Sequence, residues 1–115
     1  MRLGLDIGGT KIEAVVIDNA GEIVYRERCA TPKQSYGDFF QAVTEMIARA
    51  MQAINQPLSV GVGVPGAVDS EGLIKNSNIL VLNQQAFAQD LELALGIPVP
   101  VTNDANCFTL SEAMD

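Results

Sequence analysis

Residues 2–29 read RLGLDIGGTKIEAVVIDNAGEIVYRERC. Leu3, Leu5 and Ile7 alternate with Arg2, Gly4 and Asp6, which is the period of a half-buried strand. Gly8-Gly9-Thr10-Lys11 is a turn signal. Ile12 to Ile17 is rich in β-branched residues, Asn19-Ala20-Gly21 is a second turn, and a third strand runs from about Glu22 to Cys29. Three strands joined by short glycine-bearing turns predict an antiparallel meander.

Beyond the meander the period changes. Ser35 can cap a helix, with Asp38 three residues on as a variant capping box. Phe39, Phe40, Val43, Met46, Ile47, Ala50, Met51 and Ile54 then recur at spacings of three and four, one apolar stripe that Gln56-Pro57 should end. Leu58 to Val64, with valine at alternate positions, reads as a strand buried on both faces, stopped by Pro65-Gly66. Residues 67–85 form a long polar loop with Asn76, Asn78 and Asn83, and such a loop is more often functional than idle. Ala86 to Leu95 resumes a helical pattern that Gly96 can cap. Val99 to Thr102 is a short strand, and Asn103-Asp104 opens a last helix through Ala105, Phe108, Thr109 and Glu112. The order β-β-β-α-β-α-β-α predicts an α/β domain: a mixed five-stranded sheet covered by helices.

The 115 residues suit one domain, and a hydrophobic fraction of 48% supplies a core. No apolar run nears the ~20 residues of a membrane span, so no membrane partner is expected. Met1-Arg2 leads straight into the first strand, so no secretory signal is expected either. Cys29 and Cys107 lie far apart in unlike contexts and read as buried thiols of a reducing cytosol, which places the protein in the cytoplasm. With no histidine and no clustered cysteine, this segment offers no zinc site. Fourteen acidic residues against seven basic ones give a net charge of -7. Nucleic-acid binding needs a basic footprint, and none is present. An anionic small ligand remains compatible, provided backbone N–H groups and a metal ion carry its charge.

Three places carry chemistry. At Asp6 to Lys11 a strand delivers a carboxylate into a turn whose Gly8 and Gly9 let backbone N–H groups approach a phosphate. Thr10 adds a hydroxyl, Lys11 a cation, and Asp6 an oxygen ligand for Mg²⁺, directly or through water. An ordinary hairpin turn is the competing reading; the spacing is neither a Walker loop nor a dinucleotide fingerprint. Asp104 follows a strand and opens a helix, a place from which a side chain faces a crevice, although N-capping alone explains an Asn-Asp pair there. Gly66 and the asparagines after it suit paired sugar hydroxyls, since an amide both donates and accepts; turn chemistry explains them as well.

Taken together, DIGGTK (Asp6 to Lys11), GVGVPG (Gly61 to Gly66), KNSN (Lys75 to Asn78) and NDANCFTLSE (Asn103 to Glu112) resemble the N-terminal domain of the ROK family (repressors, open reading frames, kinases). That family is a branch of the actin-like ATPase (ribonuclease H-like) superfold. The resemblance covers essentially the whole chain. It implies ATP-dependent phosphorylation of a hexose hydroxyl, with Asp6, Gly8, Gly9, Thr10 and Lys11 facing ATP phosphates and Mg²⁺. It implies Asp104 as the base, with Asn103, Gly66 and Asn78 holding sugar hydroxyls. The Lys75-to-Asn83 stretch most resembles fructokinases, with N-acetylglucosamine kinases next.

Residues 1–115 then correspond to the N-terminal phosphate- and sugar-binding lobe of a two-lobe kinase. The family's E-x-G-H segment and zinc motif belong to a C-terminal lobe outside this chain, so the segment alone should turn over little. Surface left open by that lobe invites self-association, which makes a homodimer an expected state. The rival readings are a ROK-type sugar-responsive regulator, which needs a helix-turn-helix before Leu3, and a sugar- or nucleotide-binding module without catalysis.

Overall fold

The computed structural model describes residues 1–103. The helix expected from Asp104 onward lies outside the described residues. Strand β1 (Arg2–Ile7) pairs antiparallel with β2 (Lys11–Ile17), which pairs antiparallel with β3 (Ile23–Ala30). Strands β4 (Ser59–Val64) and β7 (Val101–Asn103) extend the sheet on the other side of β1, each parallel to its neighbour, in the order β3-β2-β1-β4-β7. This is the mixed five-stranded sheet expected from the sequence.

Register sorts the faces. Leu3, Leu5 and Ile7 stand opposite Val16, Ala14 and Ile12, and all six are buried. Helix α1 (Tyr36–Ile54) covers this face with Phe39, Val43, Met46, Ile47 and Ala50, five of the residues in the predicted stripe. Its start is the predicted one: Ser35 Oγ accepts the Asp38 N–H at 3.1 Å. Its end differs. Asn55 in the left-handed region (φ 53°) closes the helix with its N–H on the Met51 carbonyl, before Gln56-Pro57 is reached. Helix α2 (Phe87–Leu95), capped by Gly96 at φ 72°, packs Phe87 against Phe39 with ring centroids 5.5 Å apart. The Tyr36 hydroxyl donates to Asp90 at 2.6 Å, joining the two helices.

The predicted polar loop is more ordered than expected. It holds a short hairpin of β5 (Ala67–Val68) and β6 (Ile74–Lys75), then a 3₁₀ turn at Leu80–Leu82. Ile74, Ile79 and Leu82 anchor it in the core. Two-residue strands are too short for alternation to register. Among the described residues no helix is long and apolar enough to cross a membrane.

Across α1 and β3, Arg49 Nε lies 3.1 and 2.9 Å from the two Glu27 carboxylate oxygens, and the Tyr25 hydroxyl donates to the same group at 2.8 Å. The guanidinium hydrogen bond holds the Glu27 carboxyl below the usual glutamate range, against a smaller opposing effect of burial. The native state therefore keeps Glu27 ionised where the unfolded chain takes up a proton. Stability from this pair is present above the unfolded pKa and lost as pH falls through the folded one. Arg49→Met should cost under about 1 kcal/mol at neutral pH, because the arginine is half exposed. Thermal melts should show the gap from the parent closing as pH falls below the ordinary glutamate value of about 4.3. A gap that persists in acid would assign the effect to packing of the arginine stem instead.

Candidate functional site

Strands β1, β4 and β7 run parallel, so their C-terminal ends meet at one edge of the sheet. Three segments are thereby set side by side: the Gly8-Gly9-Thr10 turn after β1, Pro65-Gly66 after β4, and Asn103 at the end of β7. Ligand crevices of open α/β sheets form at such edges.

The turn after β1 is closed by the Gly8 N–H donating to the Lys11 carbonyl at 2.8 Å. A second contact comes from the far end of the meander. The Thr31 N–H donates to the Thr10 carbonyl at 3.0 Å, and the Thr31 hydroxyl donates to the Gly8 carbonyl at 2.8 Å. Lys11 is exposed at the start of β2. An open depression beside it is lined by Thr10, Lys11, Arg28, Cys29 and Ala30.

Asp6 lies one row back from the edge. Its cross-strand neighbours are Glu13 on β2 and Gly63 on β4. Glu13 in turn takes the guanidinium of Arg28, its own partner on β3, and sits 3.9 Å from Arg26 Nε. Asp6 is thus flanked on one side by a carboxylate whose charge is compensated and on the other by a residue with no side chain. Among the described residues no group of three His, Cys, Asp or Glu could cage a metal. A single strand-end carboxylate beside a glycine turn nevertheless fits Mg²⁺, which keeps most of its water and takes further oxygens from phosphates.

Gly66 adopts φ +102°, and a β-carbon there would lie 2.6 Å from the Lys75 carbonyl oxygen and 3.0 Å from Ser77 N and Cα. The chain after β4 therefore passes directly against β6, and only glycine permits it. The Gly66 carbonyl accepts Asn103 Nδ2 at 2.8 Å, so these two candidate residues are in direct contact. Asn78 lies over the turn after β1, where a β-carbon at Gly9 would be 3.3 Å from Asn78 Nδ2.

The three loop asparagines separate by role. Asn83 Oδ1 accepts the Ser77 N–H at 2.9 Å and its Nδ2 donates to the Ser77 carbonyl at 3.1 Å, so its amide is spent inside the loop. Asn76 turns the chain at φ 57°. Asn78 is exposed beside Gly9. Of the expected site residues, Asp6, Gly8, Gly9, Thr10, Lys11, Gly66, Asn78 and Asn103 thus gather at one edge; Asp104 lies outside the described residues. Thr31 joins them without any sequence signal, because nothing in its local sequence links it to a turn more than twenty residues earlier.

The ROK family model matches residues 2–115. An N-acetyl-D-glucosamine kinase of Haemophilus influenzae (strain 86-028NP) is 43% identical over 116 residues, covering 100% of this chain and 38% of its own length. An N-acetylgalactosamine kinase of Shewanella sp. (strain ANA-3) is 40% identical over 114 residues, covering 99% of this chain and 37% of its own. Among solved structures, a ROK family glucokinase from Streptomyces griseus in complex with glucose and AMPPNP superposes with a TM-score of 0.79 at 32% identity. That match covers 91% of this chain and 33% of the glucokinase. The chain thus spans well under half the length of these relatives. The family model, the sheet order and the grouping of DIGGTK with Gly66 and Asn103 at one edge agree, and the chain belongs to the ROK family.

Proposed function

We propose that the full-length protein is an ATP-dependent hexose kinase, and that residues 1–115 form its N-terminal phosphate- and sugar-binding lobe. The observation that carries the reading is the shared edge. The glycine turn after β1, the Gly66–Asn103 contact and Asn78 against Gly9 lie within reach of one small ligand and the tail of another. Asp6, Gly8, Gly9, Thr10 and Lys11 hold the ATP phosphates, and Asp6 faces Mg²⁺, which neutralises charge on them. Gly66, Asn78 and Asn103 hold sugar hydroxyls. Asp104 takes the proton as the sugar oxygen bonds to the γ-phosphorus and the bond to the β,γ-bridging oxygen breaks, releasing ADP. Because that transition state is loose, positioning and charge neutralisation supply most of the rate enhancement.

An N-acetylhexosamine is the proposed substrate. The sequence resemblance places fructose first, but the two curated relatives above are named for N-acetylglucosamine and N-acetylgalactosamine, at 43% and 40% identity. The test is ADP release by the full-length protein with Mg-ATP and each of N-acetylglucosamine, N-acetylgalactosamine, N-acetylmannosamine, fructose and glucose. One N-acetylhexosamine should exceed fructose and glucose in kcat/KM by about tenfold or more. A preference for fructose or glucose would retain the kinase and reject the substrate; no sugar-dependent ADP release would reject both.

A further inference from the structure

We infer that Thr31 is a positioning residue for nucleotide binding: from the end of β3 it ties back two carbonyls of the Gly8–Thr10 turn, so that the turn presents N–H groups to the phosphates. This rests on the phosphate-loop reading of residues 6–11 and adds a residue that lies outside that motif.

The geometry is dictated by the peptide unit. In a planar trans peptide, the C=O of one residue and the N–H of the next point in opposite directions. The Thr31 hydroxyl on the Gly8 carbonyl, at 2.8 Å, therefore aims the Gly9 N–H away from Thr31. The Thr31 N–H on the Thr10 carbonyl, at 3.0 Å, does the same for the Lys11 N–H. The Gly9 and Lys11 N–H groups, turned to the side opposite Thr31 within one tight turn, give an anion two backbone donors. Gly8 and Gly9 leave the backbone flexible, and a turn free to rotate would offer the phosphates carbonyl oxygens part of the time. Thr31 removes that freedom.

Its burial suits this role. At 6% exposure it is one of only two buried polar residues among the described residues, and its hydroxyl serves the turn alone in the bonds observed. Being β-branched, one residue past the end of β3, it has few χ1 rotamers, which restricts the hydroxyl's positions. The chain then passes through Pro32 to the Ser35 cap of α1, which anchors Thr31 from its other side.

The experiment uses the full-length kinase with Thr31→Val, which keeps the shape and removes the hydroxyl. Thr31→Ala removes it without adding an apolar branch, Thr31→Ser restores it, and Lys11→Ala serves as a control in the loop itself. Thr31→Val and Thr31→Ala should each lower kcat/KM for ATP by about tenfold or more, from an unsatisfied carbonyl and a misdirected turn. The sugar KM should change clearly less than the ATP kinetics, because Gly66 and Asn103 are held by other bonds and Asn78 alone touches the turn, at Gly9. Thr31→Ser should recover most of the loss. Should the valine variant not fold, the alanine variant decides.

Parent-like ATP kinetics in both hydroxyl-less variants, with Lys11→Ala impaired, would overturn the role of Thr31 and leave the phosphate loop standing. Equal loss for ATP and sugar alongside a lowered melting temperature would also overturn it, by showing general structural damage. Lys11→Ala with unchanged ATP kinetics would remove the phosphate-loop reading, and this inference with it.

Discussion

Gly66→Ala is expected to destabilise the protein by about 3 kcal/mol or more and, on the proposed kinase function, to lower kcat/KM for the sugar by about a hundredfold in the full-length protein. Two independent costs combine. The backbone at φ +102° is a conformation that side-chain-bearing residues rarely adopt. The new β-carbon would also lie 2.6 Å from the Lys75 carbonyl oxygen and 3.0 Å from Ser77 N and Cα, which are backbone atoms and not flexible side-chain ends. Ser77 cannot give way cheaply, because Asn83 grips both its N–H and its carbonyl. Relief must come from the Gly66 side, and its carbonyl is what holds Asn103. Stability and sugar recognition should therefore fall together. Gly61→Ala is the control: a β-carbon there meets nothing within 4 Å, so it should stay within about 1 kcal/mol of the parent. Thermal melts and sugar kinetics on both variants check this, and a Gly66→Ala variant that melts with the parent would refute the close approach of β4's end to β6.

The contrast between these two glycines marks how far the sequence could be read. Gly61 and Gly66 both belong to GVGVPG, yet only the fold shows which is irreplaceable, since the atoms crowding Gly66 come from residues 75 and 77. The legible features were local. The meander was announced by alternation and short turns, and α1 by Ser35 and a stripe that proved to be its buried face. The illegible ones depended on pairing across distance or on one residue's dihedral angles. Asn55 ended α1 by turning left-handed where Pro57 looked the stronger signal. Asn83 and Asn78 look alike in a polar loop, and only the contacts assign one to Ser77 and the other to Gly9. Thr31 joins the turn after β1 because β3 ends beside it, a register that composition does not encode.

On the proposed kinase function, Asp104→Asn in the full-length protein is expected to lower kcat by about 10² to 10⁴ while changing the sugar KM little. The two readings of this residue diverge sharply under that substitution. Asparagine caps a helix as well as aspartate does, so a residue that only caps should tolerate the change almost silently. A residue that accepts the proton of the attacking hydroxyl cannot tolerate it, because an amide oxygen keeps the hydrogen bond and the size but takes no proton at neutral pH. Retained ground-state contact with lost proton transfer predicts a fall in kcat and an unchanged KM, the pattern of an interaction expressed in the transition state. The pH profile adds a second readout. A base must be ionised to act, so parent activity should fall in acid as the carboxylate takes up a proton, and the residual activity of Asp104→Asn should not track that fall. Asp104 follows Asn103 in the sequence, and Asn103, at the end of β7, has its amide fixed on the Gly66 carbonyl. Damage to that strand end should raise the sugar KM, whereas loss of the base should not, and the Gly66→Ala and Asp104→Asn variants measured side by side separate placing the hydroxyl from deprotonating it.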